Sequence, residues 1–160
     1  MVLDKVKLQI VEGDLSRDSH REALVKLVNA YMLDEMGERH PLGSDLAGKI
    51  VSGLSSHPAA LIFFADHGGE LVGMSVCFFG FSTFYGRGVL NIHDLIVLPQ
   101  YRKNGIARKL LEAVEDKARL LDCCKVTLEV REDNLRAMSL YRSRGFSAGK
   151  YPMYFWTKML

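Results

Sequence analysis

The sequence is short of several features that would each have narrowed its function. Among its 160 residues are three cysteines, Cys77, Cys123 and Cys124. An odd number with two adjacent gives neither a disulfide framework nor the paired spacing of a zinc site. A net charge of +2 is too small to point by itself to nucleic acid or an anionic membrane. No apolar run reaches the length of a membrane span, and the first residues lack a signal-peptide pattern. Internal repeats, low-complexity segments and linker-like stretches are missing. So are the nucleotide fingerprints G-x-x-x-x-G-K-[ST] and G-x-G-x-x-G with an acid about twenty residues on. What remains is 48% hydrophobic and 25% charged, ordinary for a globular chain, and the length fits one domain, 1–160, with a sizeable core. The expectation is a cytoplasmic protein with no metal, nucleic-acid or membrane partner.

The informative stretch runs from Asn91 to Arg108, N-I-H-D-L-I-V-L-P-Q-Y-R-K-N-G-I-A-R. Its apolar, β-branched opening reads as a buried strand. Pro99 removes a backbone donor and stops that strand. A polar, basic link follows, and Gly105 opens a run of helix formers from Ile106 to Leu121. A helix start exposes unpaired N–H groups and carries partial positive charge, which suits phosphate. Gly105 lets the backbone approach a ligand closely, while Arg102, Lys103 and Arg108 add charge. The residues alone read as a diphosphate-binding turn, although one glycine beside basic residues at a helix start is common.

The rest of the chain supplies elements around this unit. Lys5 to Val11 alternates as a strand, and Ser16 or Asp18 caps a helix reaching roughly Asp34. A second helix runs from Ser44 or Asp45 to about Leu54. Ala60 to Ala65 and Leu71 to Phe81 read as strands joined at His67-Gly68-Gly69. Val126 to Val130 is β-rich, and a helix begins at Asn134 and ends at Gly145-Phe146. Ala148 to Tyr151 and Tyr154 to Met159 read as two final strands.

Two motifs in this order carry a family likeness. Arg102-x-x-Gly105-x-Ala107, followed by Asn134 and Leu140-Tyr141-x-x-x-Gly145-Phe146, resembles the GNAT N-acetyltransferase superfamily. That family's signature is [Q/R]-x-x-G-x-[G/A], with a downstream N-x-x-A-x-x-x-Y-x-x-x-G-F. Ala107 stands where Gly is common, and Ala also occurs there. The resemblance implies an α/β (α+β) fold in the order βααβββαβαββ, a mostly antiparallel sheet with helices on both faces. It implies acetyl-CoA as co-substrate. The arm of the cofactor would pair with the backbone of Leu95, Ile96 and Val97 as an added strand. The turn Arg102, Lys103, Asn104, Gly105, Ile106, Ala107 and Arg108 would hold the pyrophosphate. Asn134 would touch the cofactor, though an Asn at a helix start is equally a cap.

The implied reaction is acetyl transfer from a thioester to a primary amine by direct attack in a ternary complex. An amine with a pKa near 10.4 must be presented as free base, costing roughly 4 kcal/mol at neutral pH. Backbone N–H groups near Val97 would serve the oxyanion. Tyr141 matches the family's proton donor to the leaving thiolate, the plain alternative being a core aromatic. His93 matches the position of a base, its imidazole suited to neutral pH; the alternative is a hydrogen-bonded buried histidine. Strand alternation sends His93 and Asp94 to opposite faces, so only one would serve the site.

The acceptor is expected against the first two helices and their loop. Tyr31, Asp34 and Glu35 lie in an acidic, aromatic run similar to that of diamine acetyltransferases, and Glu129 near the parallel strand's end also faces the acceptor. The run reads equally as a solvated helix end. A diamine, polyamine or other small amine is the expected acceptor. An amino-acid or protein amine, or a non-catalytic acyl-CoA sensor, is the alternative. Dimers are frequent in the family, so a homodimer is implied.

Overall fold

The computed structural model describes residues 7–151 and 153–160. The residues divide into two compact units, one ending at Glu129 and one covering Val130–Leu160. The first holds β1 (Leu8–Glu12), α1 (Asp18–Met32), α2 (Ser44–Ser56), β2 (Ala60–His67), β3 (Glu70–Ser82), β4 (Arg87–Val97), α3 (Ile106–Leu120) and β5 (Lys125–Leu128). The second holds α4 (Leu135–Ser143). This follows the expected order from the first strand to the last helix. Lys5 and Val6, expected in the first strand, lie outside the described residues.

The five strands form one sheet in sequence order, antiparallel except for the β4–β5 pair, which is parallel. Successive strand residues face opposite sides, so the neighbouring β2–β3 pairs Phe64↔Met74 and Ala65↔Gly73 mark the two faces. On one, His20 of α1 meets the Phe64 ring edge-on, with centroids 5.1 Å apart. On the other, α3 lays down Ile106, Leu110, Leu111, Val114 and Ala118, all buried and spaced for one helical stripe. Gly73 lets α3 come close: a Cβ there would sit 3.1 Å from the Ile96 carbonyl oxygen and 3.2 Å from the Ile106 methyl. Helices thus cover both faces. No helix among the described residues is long and apolar enough to cross a membrane.

Two expectations fail in physical detail. Neither Ser16 nor Asp18 caps α1 through its side chain; Arg17 stands at the capping position and makes no side-chain capping bond. Ser16 instead closes a turn on Asp14, donating its N–H and hydroxyl to Oδ1 at 2.9 and 2.7 Å. Asp18 pairs with Arg21 one turn along. The second failure is at the far end. Neither Ala148–Tyr151 nor Tyr154–Met159 forms a strand among the described residues. β-propensity expresses itself through packing on a pleated neighbour, and here Tyr154, Phe155 and Trp156 are exposed.

Because the Gly73 site is closed by a backbone carbonyl and the first turn of α3, extra bulk must displace one of them. Gly73→Val is expected to lower the unfolding free energy by about 1–3 kcal/mol. Urea denaturation followed by circular dichroism measures it; an unchanged midpoint would mean the helix and sheet are not in contact there.

Candidate active site

β4 changes character halfway along. From Val89 to Ile92 it pairs with β3 on one side and with Lys125–Leu128 of β5 on the other. Beyond Ile92 the β5 ladder stops, and from Asp94 to Val97 the strand pairs among the described residues with β3 alone. Backbone N–H and C=O groups are obligatory hydrogen-bonding groups. A strand edge left open inside a sheet is therefore a built place for another extended segment.

The ladder to β3 is also irregular here. Val76 opposes Asp94 while Cys77 opposes Ile92, so His93 has no partner on β3 and forms a bulge. The inserted residue interrupts the period of two on which the alternation argument rests, and His93 and Asp94 have different surroundings, one exposed and the other half-buried. Burial pushes the Asp94 carboxyl above the usual aspartate range, and His93 partly offsets the shift. His93 itself is exposed, so the buried-histidine alternative does not hold. Its ring stands edge-on to Phe78 at 5.4 Å, and His57 takes another edge of Phe78 at 4.9 Å. Nothing in the local sequence marked Phe78 or His57 as neighbours of this position.

Past Val97 the chain makes a 3-10 turn, Pro99–Tyr101, and enters the basic link. Asn104 donates to the carbonyls of Tyr101 and Arg102, both at 3.1 Å, which ties the link into a compact turn. Lys103 and Gly105 both have left-handed backbone, φ 65° and 76°. At Gly105 that conformation, more than close approach, requires the glycine, and the space where a Cβ would stand is open. No side chain caps α3. The first amide N–H groups of any α-helix lack carbonyls one turn back, which suits an anion, and α3 begins at Ile106, directly after this turn.

Arg102 lies differently from expectation. Its Nε donates to the Val97 carbonyl at 2.9 Å and its Nη2 meets Asp34 Oδ2 at 2.7 Å. The structure therefore brings together one residue expected on the diphosphate and one expected on a cationic acceptor. Of the other acceptor candidates, Tyr31 is 37% exposed at the end of α1 and Glu35 is exposed in the loop after it. Glu129 is exposed just beyond β5.

In the second unit, Asn134 caps α4, its side chain accepting the Ala137 N–H at 3.2 Å. Tyr141 is half-buried on α4, its ring 5.9 Å from that of Phe146. Phe146 returns its N–H to the Tyr141 carbonyl at 3.0 Å. The downstream motif is thus one local structure: cap, helix and closing turn.

The sequence profile of the Acetyltransferase (GNAT) family matches residues 24–146. An uncharacterized N-acetyltransferase of Bacillus subtilis, YhfO, is 28% identical over 134 residues, 82% of this chain and 86% of its own length. The thialysine N-epsilon-acetyltransferase of Bos taurus is 36% identical over 75 residues, which is 47% of this chain and 44% of that protein. The match thus spans less than half of that relative. Among solved structures, an aminoglycoside N-acetyltransferase in complex with CoA superposes with a TM-score of 0.74 at 15% identity, covering 96% of each chain. Such low identity establishes shared fold. The chain belongs to the GNAT acetyltransferase family, acyltransferases whose donor is acetyl-CoA.

The raised Asp94 carboxyl gives a pH signature. Between its unfolded and folded titration points, the folded chain holds a proton that the unfolded chain has lost. Its contribution to stability is therefore present at acid pH and falls as pH rises through that window. Asp94→Asn should flatten the decline in unfolding free energy as pH rises above the ordinary aspartate range. An unchanged slope in urea titrations across that range would place the carboxyl in contact with water.

Proposed function

We propose that this protein transfers the acetyl group of acetyl-CoA to a primary amine by direct attack in a ternary complex. The observation that carries the reading is the open β4 edge, His93–Val97, leading directly to the uncapped start of α3. The residues fit the co-substrate in two respects. An extended arm with amide groups would lie along Leu95, Ile96 and Val97, where β5 does not pair, although the Val97 carbonyl already accepts from Arg102. A diphosphate finds the first amides of α3, at Ile106 to Arg108, with room before Gly105 and charge from Lys103. Acetyl-CoA supplies an activated thioester; the chain supplies position and proton transfer.

A covalent route through Cys77 is disfavoured. Burial pushes the Cys77 thiol up to about 11, against a smaller opposing effect of the Ser75 hydroxyl, and only the thiolate is a nucleophile. Direct attack needs a base for the ammonium and an acid for the leaving thiolate. His93 is the proposed base, supported by its exposure on the bulge next to Asp94. Tyr141 is the proposed acid, supported by the downstream motif that α4 carries.

The proposed acceptor is a diamine, polyamine or other small amine. The relatives named for thialysine, a small amine, support this, as do the exposed carboxylates Glu35 and Glu129. The exposed Tyr154, Phe155 and Trp156 support a homodimer. All three cysteines are free thiols, which suits the cytoplasm.

Thiol release from acetyl-CoA with a panel of polyamines, amino acids, aminoglycosides and a lysine peptide tests the reading. Release is expected with polyamines or another small amine; release with the peptide alone would make a protein amine the acceptor, and silence with every amine would sink the reaction. In the same assay Tyr141→Phe should cut turnover at least about tenfold with little change in acetyl-CoA affinity. His93→Ala should remove the acidic limb of the pH–rate profile. Full turnover in the first variant, or an intact limb in the second, retires that residue's role.

A further inference from the structure

The Arg102–Asp34 contact lies where the two expected substrate regions of the first unit meet. Arg102 follows the end of β4 and precedes α3; Asp34 follows the end of α1, in the loop leading to α2. They stand 68 residues apart in sequence. Their side chains are 30% and 17% exposed, so the pair is largely removed from solvent. Partial burial strengthens an ion pair and makes the loss of one partner costly.

Each partner is also fastened to backbone. Arg102 uses a second nitrogen, Nε, on the carbonyl of Val97, the last residue of β4. Asp34 uses its second oxygen, Oδ1, to accept the Met36 N–H at 3.0 Å. The Asp34 N–H donates to the Tyr31 carbonyl at 3.0 Å, and the Asp34 carbonyl accepts the Gly37 N–H at 2.9 Å. The first turn of the loop is thus wound around Asp34, and the guanidinium joins that turn to the β4–α3 junction. A planar fork reaching two acceptors in fixed directions is a task for arginine and not for lysine.

We propose that Asp34 and Arg102 form a latch that positions the cofactor turn. Asp34 is a positioning residue for the co-substrate, and Arg102 fastens the end of β4 to the acceptor-side loop instead of neutralising the diphosphate. The proposal rests on the cofactor reading above. It has a consequence in sign. As latch partners the two residues act together, and removing either loosens the same junction. As a phosphate ligand masked by a carboxylate, Arg102 would gain when Asp34 is neutralised.

The test is the affinity for CoA, by isothermal titration, of the full chain and of Asp34→Asn, Arg102→Gln and the double variant, each checked for an unchanged melting temperature. Both single variants should weaken CoA binding by roughly threefold to tenfold. The double variant should be no weaker than the weaker single, a non-additivity that general loss of stability would not produce. If Asp34→Asn does not fold, Arg102→Lys replaces it: charge without the fork should also weaken binding. Tighter binding by Asp34→Asn, additive losses, unchanged affinity in the single variants, or unchanged affinity in Arg102→Lys where it is used overturns the latch. Failure of the unmodified chain to bind CoA overturns the cofactor reading, and the latch with it.

Discussion

A strand inside a sheet has two edges to satisfy, and β4 satisfies both for only part of its length. Up to Ile92 the parallel partner β5 fills the second edge; from His93 onward it does not. The cost of leaving backbone amides and carbonyls without protein partners in a half-buried strand is large enough that folds usually avoid it. Where a fold keeps such an edge, something else is expected to complete it. Much of the first unit is arranged around that opening. β3 holds the other edge as far as Val97, α3 begins a short turn later, and Gly73 allows the first turn of α3 to rest on the sheet beside Ile96.

The bulge at His93 belongs to the same constraint. An extra residue disturbs the strand's period where the β5 ladder ends, at two consecutive polar residues. One, His93, is exposed; the other, Asp94, is half-buried with its carboxyl raised by burial. The electrostatics of the turn follow another logic. Asp34 and the Val97 carbonyl already engage Arg102, so the attraction of the turn for a diphosphate rests on the amides of α3 and on the remaining basic residues.

The sequence made most of the scaffold legible because its signals are local. Pro99 ends a strand, Gly105 precedes a helix, and the apolar stripe of α3 repeats every three to four residues. The family motifs were legible for the same reason, since each is a compact turn-and-helix structure with its own capping residue, Gly105 or Asn134. What was hidden depends on pairing between distant segments. The bulge is defined by the register of Val76 and Cys77 against Asp94 and Ile92, which no pattern within β4 reports. The Asp34–Arg102 pair spans two loops with no periodic relation. The last two strands were over-read, because aromatic and β-branched residues such as Tyr154, Phe155 and Thr157 favour a strand only when an edge is there to receive it.

Amide hydrogen exchange with and without CoA addresses the open edge directly. Completion of that edge by the cofactor would protect peptides covering Leu95–Val97 and the first turn of α3 from Ile106, while β1 and β2 keep their exchange rates. Protection confined to other segments, or none at saturating CoA, would contradict the assignment of the β4 edge as the place where the co-substrate binds.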